Sequence, residues 1–277
     1  MTEHDVVVDG LRLHYLDWGN PGAPAVVLLH GGSAHAHWWD PVAPALAERF
    51  HVVAPDLRGH GDSAWAEPPA YEAEDYARDV VGLVAALGFV EVYLVGHSLG
   101  GIVAAFAAAG LGERLAALAI VDSRTKVVPG RVGTMQRLAR FPHPRYETRE
   151  EGVARYRLLP DSTVTRPELL AHVAGHALHR VEEGHWTFKF DRAALAAVRP
   201  RDVRPLLAGV RCPILAVRGG DSRMMPPKAT AAMAAVAPQL ETAEIAGAEH
   251  HVMLDRPAAL AATLGAFLDR ARATRTA

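Results

Sequence analysis

Short apolar runs alternate with amphipathic stretches along most of this chain. The apolar runs occupy residues 25–30, 50–56, 91–96, 115–122, 213–218 and 241–246. Most of them are continuously apolar, which is typical of strands buried on both faces of a parallel sheet. Helical patterns lie between them and after them, at residues 44–49, 75–87, 102–109, 226–236 and 258–272. This order predicts an α/β fold, an open twisted sheet with helices on both faces.

A hairpin is predicted ahead of these units. Residues 6–8 and 11–18 flank Asp9-Gly10, a dipeptide that suits a tight turn between antiparallel strands. The hairpin should form one edge of the sheet. Together with the six apolar runs it predicts a mostly parallel, eight-stranded sheet.

The alternation stops between residues 123 and 205. This stretch is rich in Arg, His and Pro, has a helical pattern at residues 167–181, and shows no convincing buried strand. We interpret it as an inserted helical cap. The expected organisation is one domain, with core segments at residues 1–122 and 206–277 and the cap at 123–205.

Composition narrows the classes of partner. The 277 residues are half hydrophobic and include 29 basic and 31 acidic side chains, for a formal net charge of −2. Because acidic and basic side chains nearly balance, the protein has no large positive electrostatic field to attract nucleic acid or an anionic membrane. A small-molecule substrate is therefore expected. Cys212 is the single cysteine, which excludes an internal disulfide. The chain lacks the apolar run of a signal peptide or membrane span, which predicts a soluble, cytoplasmic protein. The sequence does not specify its oligomeric state.

The sequence GHSLGG at residues 96–101 carries the strongest chemical signal. It stands between a predicted buried strand and a predicted helix of small residues, the context in which G-x-S-x-G forms a nucleophile turn. Gly96 and Gly100 relieve crowding around Ser98, whose hydroxyl should point outward at the helix N-terminus. The amide of Leu99 is then placed to stabilise a developing oxyanion.

A second glycine turn, HGGS at residues 30–33, follows the first buried strand. Its glycines let backbone amides approach a substrate oxygen, and Gly32 is the predicted second oxyanion donor. His30 is interpreted as a structural, hydrogen-bonded histidine. Ser33 is a candidate substrate contact through its side chain or its amide.

A serine hydroxyl needs a general base with a pKa near working pH, and a histidine should therefore follow the last strand. The segment GAEHH supplies His250 and His251, and His250 is the predicted base. The acid that orients it has two candidates. Asp221 follows the predicted strand at 213–218, and Asp122 ends the strand at 115–122.

The cap should set substrate choice. Candidate pocket residues are aromatic, each of which could equally belong to the core: Trp38, Trp39, Tyr156, Trp186 and Phe188.

No metal site or cofactor is expected. His172, His176 and His179 share a helical spacing, but neither acidic partners nor an HExxH pattern accompany them.

These motifs, in this order along nearly the whole chain, resemble the α/β-hydrolase superfamily, and specifically its serine-nucleophile, esterase-like branch with a helical cap. In such proteins the acid commonly lies three residues after the glycine of a G-x-x-D turn, and counting from Gly219 that place holds Ser222. Other members, including haloalkane dehalogenases, carry the acid where Asp122 stands, and the resemblance therefore slightly favours Asp122. Dehalogenases and epoxide hydrolases use an aspartate nucleophile, so Ser98 argues against both chemistries.

The resulting hypothesis is a carboxylesterase-like serine hydrolase that cleaves an ester or lactone through an acyl-enzyme on Ser98. Two alternatives remain open at this stage. One is a carbon–carbon bond hydrolase or perhydrolase with a similar triad. The other is a non-enzymatic ligand sensor that retains the triad.

Overall fold

The elements follow the predicted alternation closely in the computed structural model, which describes residues 1–276. The strands are β1 (Thr2–Val8), β2 (Leu11–Asp17), β3 (Ala25–Leu29), β4 (His51–Pro55), β5 (Val92–His97), β6 (Leu115–Val121), β7 (Lys126–Val127), β8 (Leu178–Arg180), β9 (Trp186–Phe188), β10 (Arg201–Asp202), β11 (Ile214–Gly219) and β12 (Leu240–Ile245). The α-helices are α1 (Ala43–Ala47), α2 (Ala73–Ala86), α3 (Leu99–Leu111), α4 (Pro129–Ala139), α5 (Arg149–Arg155), α6 (Pro167–His176), α7 (Ala193–Ala196), α8 (Arg204–Ala208), α9 (Pro227–Ala234), α10 (Val252–Asp255) and α11 (Pro257–Thr276). Short 3₁₀ helices cover Ala36–Trp39 and Gly112–Arg114.

Eight strands form the main sheet in the order β1-β2-β4-β3-β5-β6-β11-β12. The β1–β2 and β2–β4 pairs are antiparallel, and the remaining pairs are parallel. The predicted α/β fold with a mostly parallel, eight-stranded sheet is therefore confirmed. The hairpin turns at Asp9-Gly10, and both residues have positive φ angles of 49° and 83°.

The central strands bury side chains on both faces, which explains their continuous apolar sequence. On β3, Val26 and Leu28 belong to one hydrophobic cluster, while Val27 and Leu29 belong to the other. The first cluster includes residues of α1 and α11, and the second includes residues of α2 and α3. Burying each such side chain stabilises the fold by about 1.5–3 kcal/mol, which fixes the sheet as a rigid support for its loops.

The chain leaves the main sheet between β6 and β11, which are neighbours paired from Leu118–Ile214 to Val121–Val217. We call residues 123–205 the cap segment. It contains α4 to α7 and four short strands, which form the two-stranded pairs β7–β10 and β8–β9. Strands of two or three residues leave no periodic signature, so the sequence did not indicate them. The predicted boundary at residue 205 falls inside α8.

Within residues 1–276, no helix combines the length and the apolar character needed to cross a lipid bilayer.

Candidate active site

Ser98 lies in the sharp turn between β5 and α3. Its φ of 50° and ψ of −112° are a conformation that L-residues rarely adopt, and such strain is typical of functional turns. The surrounding fold holds it there, because the Ser98 amide donates to the Val121 carbonyl at 3.0 Å on the neighbouring strand. Ser123 adds a second restraint by donating from Oγ to the Ser98 carbonyl at 2.6 Å.

Two glycines make this turn sterically possible. A Cβ on Gly96 would overlap the backbone carbonyl of Gly100, and one on Gly100 would overlap the carbonyl of Leu29. Both obstacles are backbone atoms, which cannot rotate away as a side chain can. The G-x-S-x-G spacing is therefore a packing requirement at this site.

His250 follows β12 and reaches both Ser98 and Asp122. Its Nε2 lies 3.1 Å from Ser98 Oγ, and its Nδ1 lies 2.8 Å from Asp122 Oδ1. A carboxylate only accepts hydrogen bonds, so Nδ1 carries the proton and Nε2 is left as the acceptor for the serine hydroxyl. This is the tautomer that a general base requires.

Asp122 is completely buried at the end of β6. Its Oδ2 accepts the Gly219 amide at 2.7 Å, and its Oδ1 accepts the Ser222 hydroxyl at 2.6 Å. Burial raises the pKa of Asp122 to about 6, while the hydrogen bonds from Ser222 and Gly219 oppose that rise. These donors stabilise the ionised form inside the protein.

The other candidate acid, Asp221, has an exposed side chain in the turn after β11. Its backbone amide donates to the Ala248 carbonyl at 3.0 Å. Of the two carboxylates that the sequence left open, Asp122 is the one that hydrogen-bonds to the imidazole of His250. One residue along the chain, Ser222 points inward instead and supports Asp122.

The Gly31-Gly32 turn lies directly against Ser98 and Leu99. A Cβ on Gly31 would be 3.2 Å from Ser98 Cβ, and one on Gly32 would be 3.9 Å from Leu99 Cδ2. Leu99 is the first residue of α3, so its amide has no carbonyl one helical turn earlier to bond. Gly32, Ser33 and Leu99 all line the cavity above Ser98, with Ser33 in a left-handed conformation at φ 61°.

That cavity, which we call the catalytic cavity, has a volume of about 390 Å³. Ser98, His250 and the oxyanion candidates Gly32 and Leu99 all line it. The cap segment supplies more than half of the lining residues. Most of these are apolar, namely Val127, Met135, Leu138, Leu159, Pro160, Phe190, Ala194, Leu195, Ala197 and Val198, and the others are Arg124, Thr134, Arg199 and Arg201.

Three buried polar atoms in this wall have no hydrogen-bond partner in the described part of the chain: His60 Nε2, Tyr76 Oη and Arg124 Nε. Burial lowers the pKa of His60 to about 4, and its Nδ1 lies 2.9 Å from the Arg58 carbonyl, which leaves Nε2 as a neutral acceptor. Arg124 Nε instead is a hydrogen-bond donor, and it belongs to a guanidinium group that is always positively charged.

The aromatic pocket candidates lie in three places: a second cavity, the core and the β8–β9 hairpin. Trp38, Tyr156 and Phe188 line a second cavity of about 240 Å³, which also touches Gly32 and Ser33. Trp39 is fully buried in the core, although it is adjacent to Trp38 in sequence. It lines neither cavity, so the prediction that it contacts substrate is not supported and the alternative of a core position is.

Trp186 likewise lines neither cavity. Its backbone pairs with Tyr146, with N–O distances of 2.8 and 3.0 Å in the two directions. The pairing fixes it at the β8–β9 hairpin in the cap segment. The sequence offered no basis for separating it from Phe188, two residues further on the same strand.

The neighbouring histidines have defined structural partners. His30 donates from Nδ1 to the Gly31 carbonyl at 2.7 Å and accepts the Leu57 amide on Nε2 at 2.9 Å, as expected for a structural histidine. His97 Nε2 contacts the His250 carbonyl at 3.0 Å, a role that sequence reasoning missed. His251 Nε2 contacts the Pro160 carbonyl of the cap segment at 2.7 Å.

Comparisons with known proteins agree with this architecture. Residues 24–257 match the family model of the alpha/beta hydrolase fold. An esterase of Mycobacterium tuberculosis is 30% identical over 273 residues, which cover 92% of this chain and 85% of the esterase. A soluble epoxide hydrolase of Corynebacterium is 41% identical over 132 residues, which cover 47% of this chain and only 43% of that protein.

A solved structure extends the likeness to the whole chain. The crystal structure of E-2-(acetamidomethylene)succinate hydrolase is 25% identical and has a TM-score of 0.86, covering 97% of this chain and 99% of that one. The family match over most of the chain and the agreement in fold lead to one assignment. This chain belongs to the alpha/beta hydrolase fold family.

Proposed function

We propose that the protein is a serine hydrolase that cleaves a carboxylic ester or lactone through an acyl-enzyme on Ser98. The observation that carries the proposal is the continuous hydrogen-bond chain from Ser98 Oγ through His250 to Asp122, with distances of 3.1 and 2.8 Å. A hydroxyl, an imidazole and a buried carboxylate in this order form an activated nucleophile.

In the first half-reaction, Ser98 Oγ attacks the carbonyl carbon while His250 Nε2 takes the hydroxyl proton. The carbonyl oxygen becomes an oxyanion, which the amides of Gly32 and Leu99 stabilise. The carbon–oxygen bond to the alcohol then breaks, and His250 returns its proton to that oxygen. Asp122 stabilises the imidazolium between these two transfers without accepting the proton.

In the second half-reaction, His250 takes a proton from water as the water oxygen attacks the acyl-enzyme. The oxyanion forms at the same two amides and collapses, the bond to Ser98 Oγ breaks, and Oγ recovers the proton. The products are a carboxylic acid and an alcohol, or a hydroxy acid from a lactone. The steps require no cofactor.

The local similarity to an epoxide hydrolase does not carry that activity to this chain. Epoxide opening in relatives of this kind begins with an aspartate nucleophile, and this chain has Ser98 in the nucleophile turn. In contrast, the chain is 30% identical along 92% of its length to a protein named as an esterase. Both points support acyl transfer to water.

The apolar wall from the cap segment suits an acyl or alcohol group with an aliphatic part, and the volume of about 390 Å³ limits it to a small molecule. The test is hydrolysis of p-nitrophenyl esters from acetate to octanoate. Wild type and the exposed control Ser162→Ala should turn over at least part of the series, and Ser98→Ala should lose the activity by about 10³-fold or more.

If wild type is no faster than Ser98→Ala on any ester, the ester-hydrolase proposal fails for these substrates. Coloured ring-fission diketones then test carbon–carbon hydrolysis, and peroxide with an acyl donor tests perhydrolysis. A sensor would show negligible turnover with a ligand-dependent rise in melting temperature.

A further inference from the structure

Four side chains meet where the core contacts the cap segment, outside the catalytic cavity. His37 belongs to the 3₁₀ helix that follows β3, Asp40 ends that helix, and His172 and His176 lie one turn apart on α6. We call these four residues the histidine cluster. One ring nitrogen from each of the three histidines lies within 4.8 Å of the other two.

Asp40 connects two of the histidines. Its Oδ2 lies 3.0 Å from His37 Nδ1 and 2.6 Å from His172 Nε2, whereas its Oδ1 is buried with no hydrogen-bond partner in the described part of the chain.

His176 completes the cluster without a hydrogen bond of its own among the described residues. Its ring stacks on His37 with centroids 3.5 Å apart and an angle of 23°, and it lies 4.8 Å from the His172 ring. A histidine ring nitrogen that accepts no hydrogen bond from the protein can serve as a metal ligand.

Two other charges face the cluster. Glu3 Oε1 lies 4.0 Å from His37 Nε2 and adds negative potential. Lys189 adds positive potential, but its ammonium forms an ion pair with Asp62 at 2.6 Å, which offsets that charge.

We propose that the histidine cluster binds one divalent transition-metal ion, Zn²⁺ in the first instance, through His37, His172, His176 and the Asp40 carboxylate. Three imidazoles and a carboxylate are a donor set that suits Zn²⁺ in tetrahedral geometry. Bonds of about 2.0–2.2 Å in that geometry place ligand atoms roughly 3.3 Å apart. The three histidine nitrogens already lie within 4.8 Å of one another. Asp40 Oδ2 lies 3.0 Å from His37 Nδ1 and 2.6 Å from His172 Nε2, so side-chain rotations can bring all four ligand atoms to this spacing.

The ion is structural. None of the four residues lines the catalytic cavity as described, so the ion has no contact with the reacting atoms there. It joins α6 of the cap segment to a core loop that precedes it by about 130 residues in the chain. Trp38, which lies between His37 and Asp40 in sequence, lines the second cavity, and metal binding thereby fixes the wall that this tryptophan forms.

The experiment uses the full chain, with any affinity tag removed and bound metal stripped by a chelator. Co²⁺ is titrated first, because four-coordinate Co²⁺ absorbs strongly in the visible range, and Zn²⁺ is then added in competition. One equivalent of Co²⁺ should bind with that absorption, Zn²⁺ should displace it, and saturating Zn²⁺ should raise the melting temperature.

His172→Gln is the decisive variant, because this side chain is 41% exposed and its loss leaves the core intact. It should weaken Zn²⁺ binding at least tenfold and abolish the rise in melting temperature, and His176→Gln should do the same. His185→Gln, a histidine elsewhere in the cap segment, should bind as wild type does. Equal binding by wild type and His172→Gln, or no stoichiometric binding by wild type, would overturn the proposal.

The metal site is independent of the catalytic proposal. Ser98→Ala should bind Zn²⁺ with wild-type affinity, whether or not the protein hydrolyses esters.

Discussion

Ser222 Oγ donates a 2.6 Å hydrogen bond to Asp122 Oδ1, the same oxygen that lies 2.8 Å from His250 Nδ1. Ser222 occupies the place where related hydrolases commonly carry the acid, at the third residue after Gly219. In this chain the turn after β11 therefore supplies a donor, and β6 supplies the carboxylate. Hydrogen bonds to an ionised group are stronger than neutral ones, so the donor stabilises the charged acid.

The first prediction assigns the acid by substitution. Asp122→Asn should lower kcat/KM by about 10³–10⁴-fold, because an amide no longer stabilises the imidazolium and can favour the wrong tautomer of His250. Asp221→Asn is the matched control and should remain within about twofold of wild type, since its side chain is exposed. The measurement is kcat/KM on the best p-nitrophenyl ester. A steep loss in Asp221→Asn alone would reverse the assignment.

The second prediction concerns Ser222 as a positioning residue. Its hydrogen bond lowers the pKa of Asp122, so Ser222→Ala should move the acid limb of the pH–rate profile to higher pH. At pH 8 the loss should be only a few-fold, and Ser222→Thr, which keeps the hydroxyl, should retain the wild-type profile. An acid limb that stays in place in Ser222→Ala would refute this role even if the protein became less stable.

The third prediction separates activity from stability at acid pH. Burial raises the pKa of Asp122 from 3.8 to about 6 in the folded state, so the folded protein binds this proton more tightly than the unfolded chain does. As pH falls from about 6 to 4, this group should increase the free energy of unfolding by up to about 3 kcal/mol, while catalysis falls because the neutral acid stabilises His250 poorly.

Urea unfolding of wild type and Asp122→Asn at several pH values measures the effect as a difference. Wild type should gain stability relative to the variant as pH is lowered through this window. A difference that does not change with pH would show that the Asp122 carboxyl has an ordinary pKa in the folded protein.

Much of this architecture follows from the sequence because the signals are local. The apolar runs predicted six strands of the main sheet, and the Asp9-Gly10 dipeptide predicted the hairpin. Ser98 and its flanking glycines could be placed because the turn itself demands small residues on both sides. His250 could be proposed because a base must follow the last strand in a fold of this order.

What the sequence left open depends on contacts across long separations. Asp122 and Ser222 meet through a pairing of β6 with β11 that brings together residues 100 apart. His172 and His176 were visible as a helical pair, but their partners His37 and Asp40 lie about 130 residues earlier. His179, which shares their spacing in the sequence, belongs to β8 instead of α6.

The tryptophans show a similar limit on a shorter scale. Trp38 and Trp39 are adjacent, but a 3₁₀ helix turns one toward the second cavity and the other into the core. That short helix carries no periodic pattern, so composition alone could not separate the two residues.

The fourth prediction tests the packing of the nucleophile turn. Gly100→Ala should destabilise the fold by about 3 kcal/mol or more and abolish activity, because the new methyl group meets the carbonyls of Leu29 and His30. Gly130→Ala in α4 is the control: its Cβ would meet nothing within 4 Å, so the change should be neutral or stabilise by about 0.5–1 kcal/mol. Thermal or urea unfolding measures both. Equal stability of the two variants would contradict a tight turn at Gly100.

The fifth prediction concerns Arg124, whose buried Nε faces no acceptor in the described part of the chain although its Nη2 donates to the Arg223 carbonyl at 2.8 Å. The other cations of the catalytic cavity are compensated, since Arg201 and Arg199 lie 3.2 and 3.5 Å from the Glu72 carboxylate. Arg124 is therefore the cation best placed to bind a carboxylate on the substrate.

The contribution of Arg124 can be measured with two esters that differ in one carboxylate. These are p-nitrophenyl butyrate and the p-nitrophenyl monoester of glutaric acid. Arg124→Met should raise KM for the monoester about tenfold or more and change kcat less, because the interaction binds substrate and transition state alike. Butyrate hydrolysis should stay within about twofold, as should both esters with Arg199→Met. An equal loss on both esters would mean that Arg124 acts only by holding the loop at Arg223, and the carboxylate-binding role would be wrong.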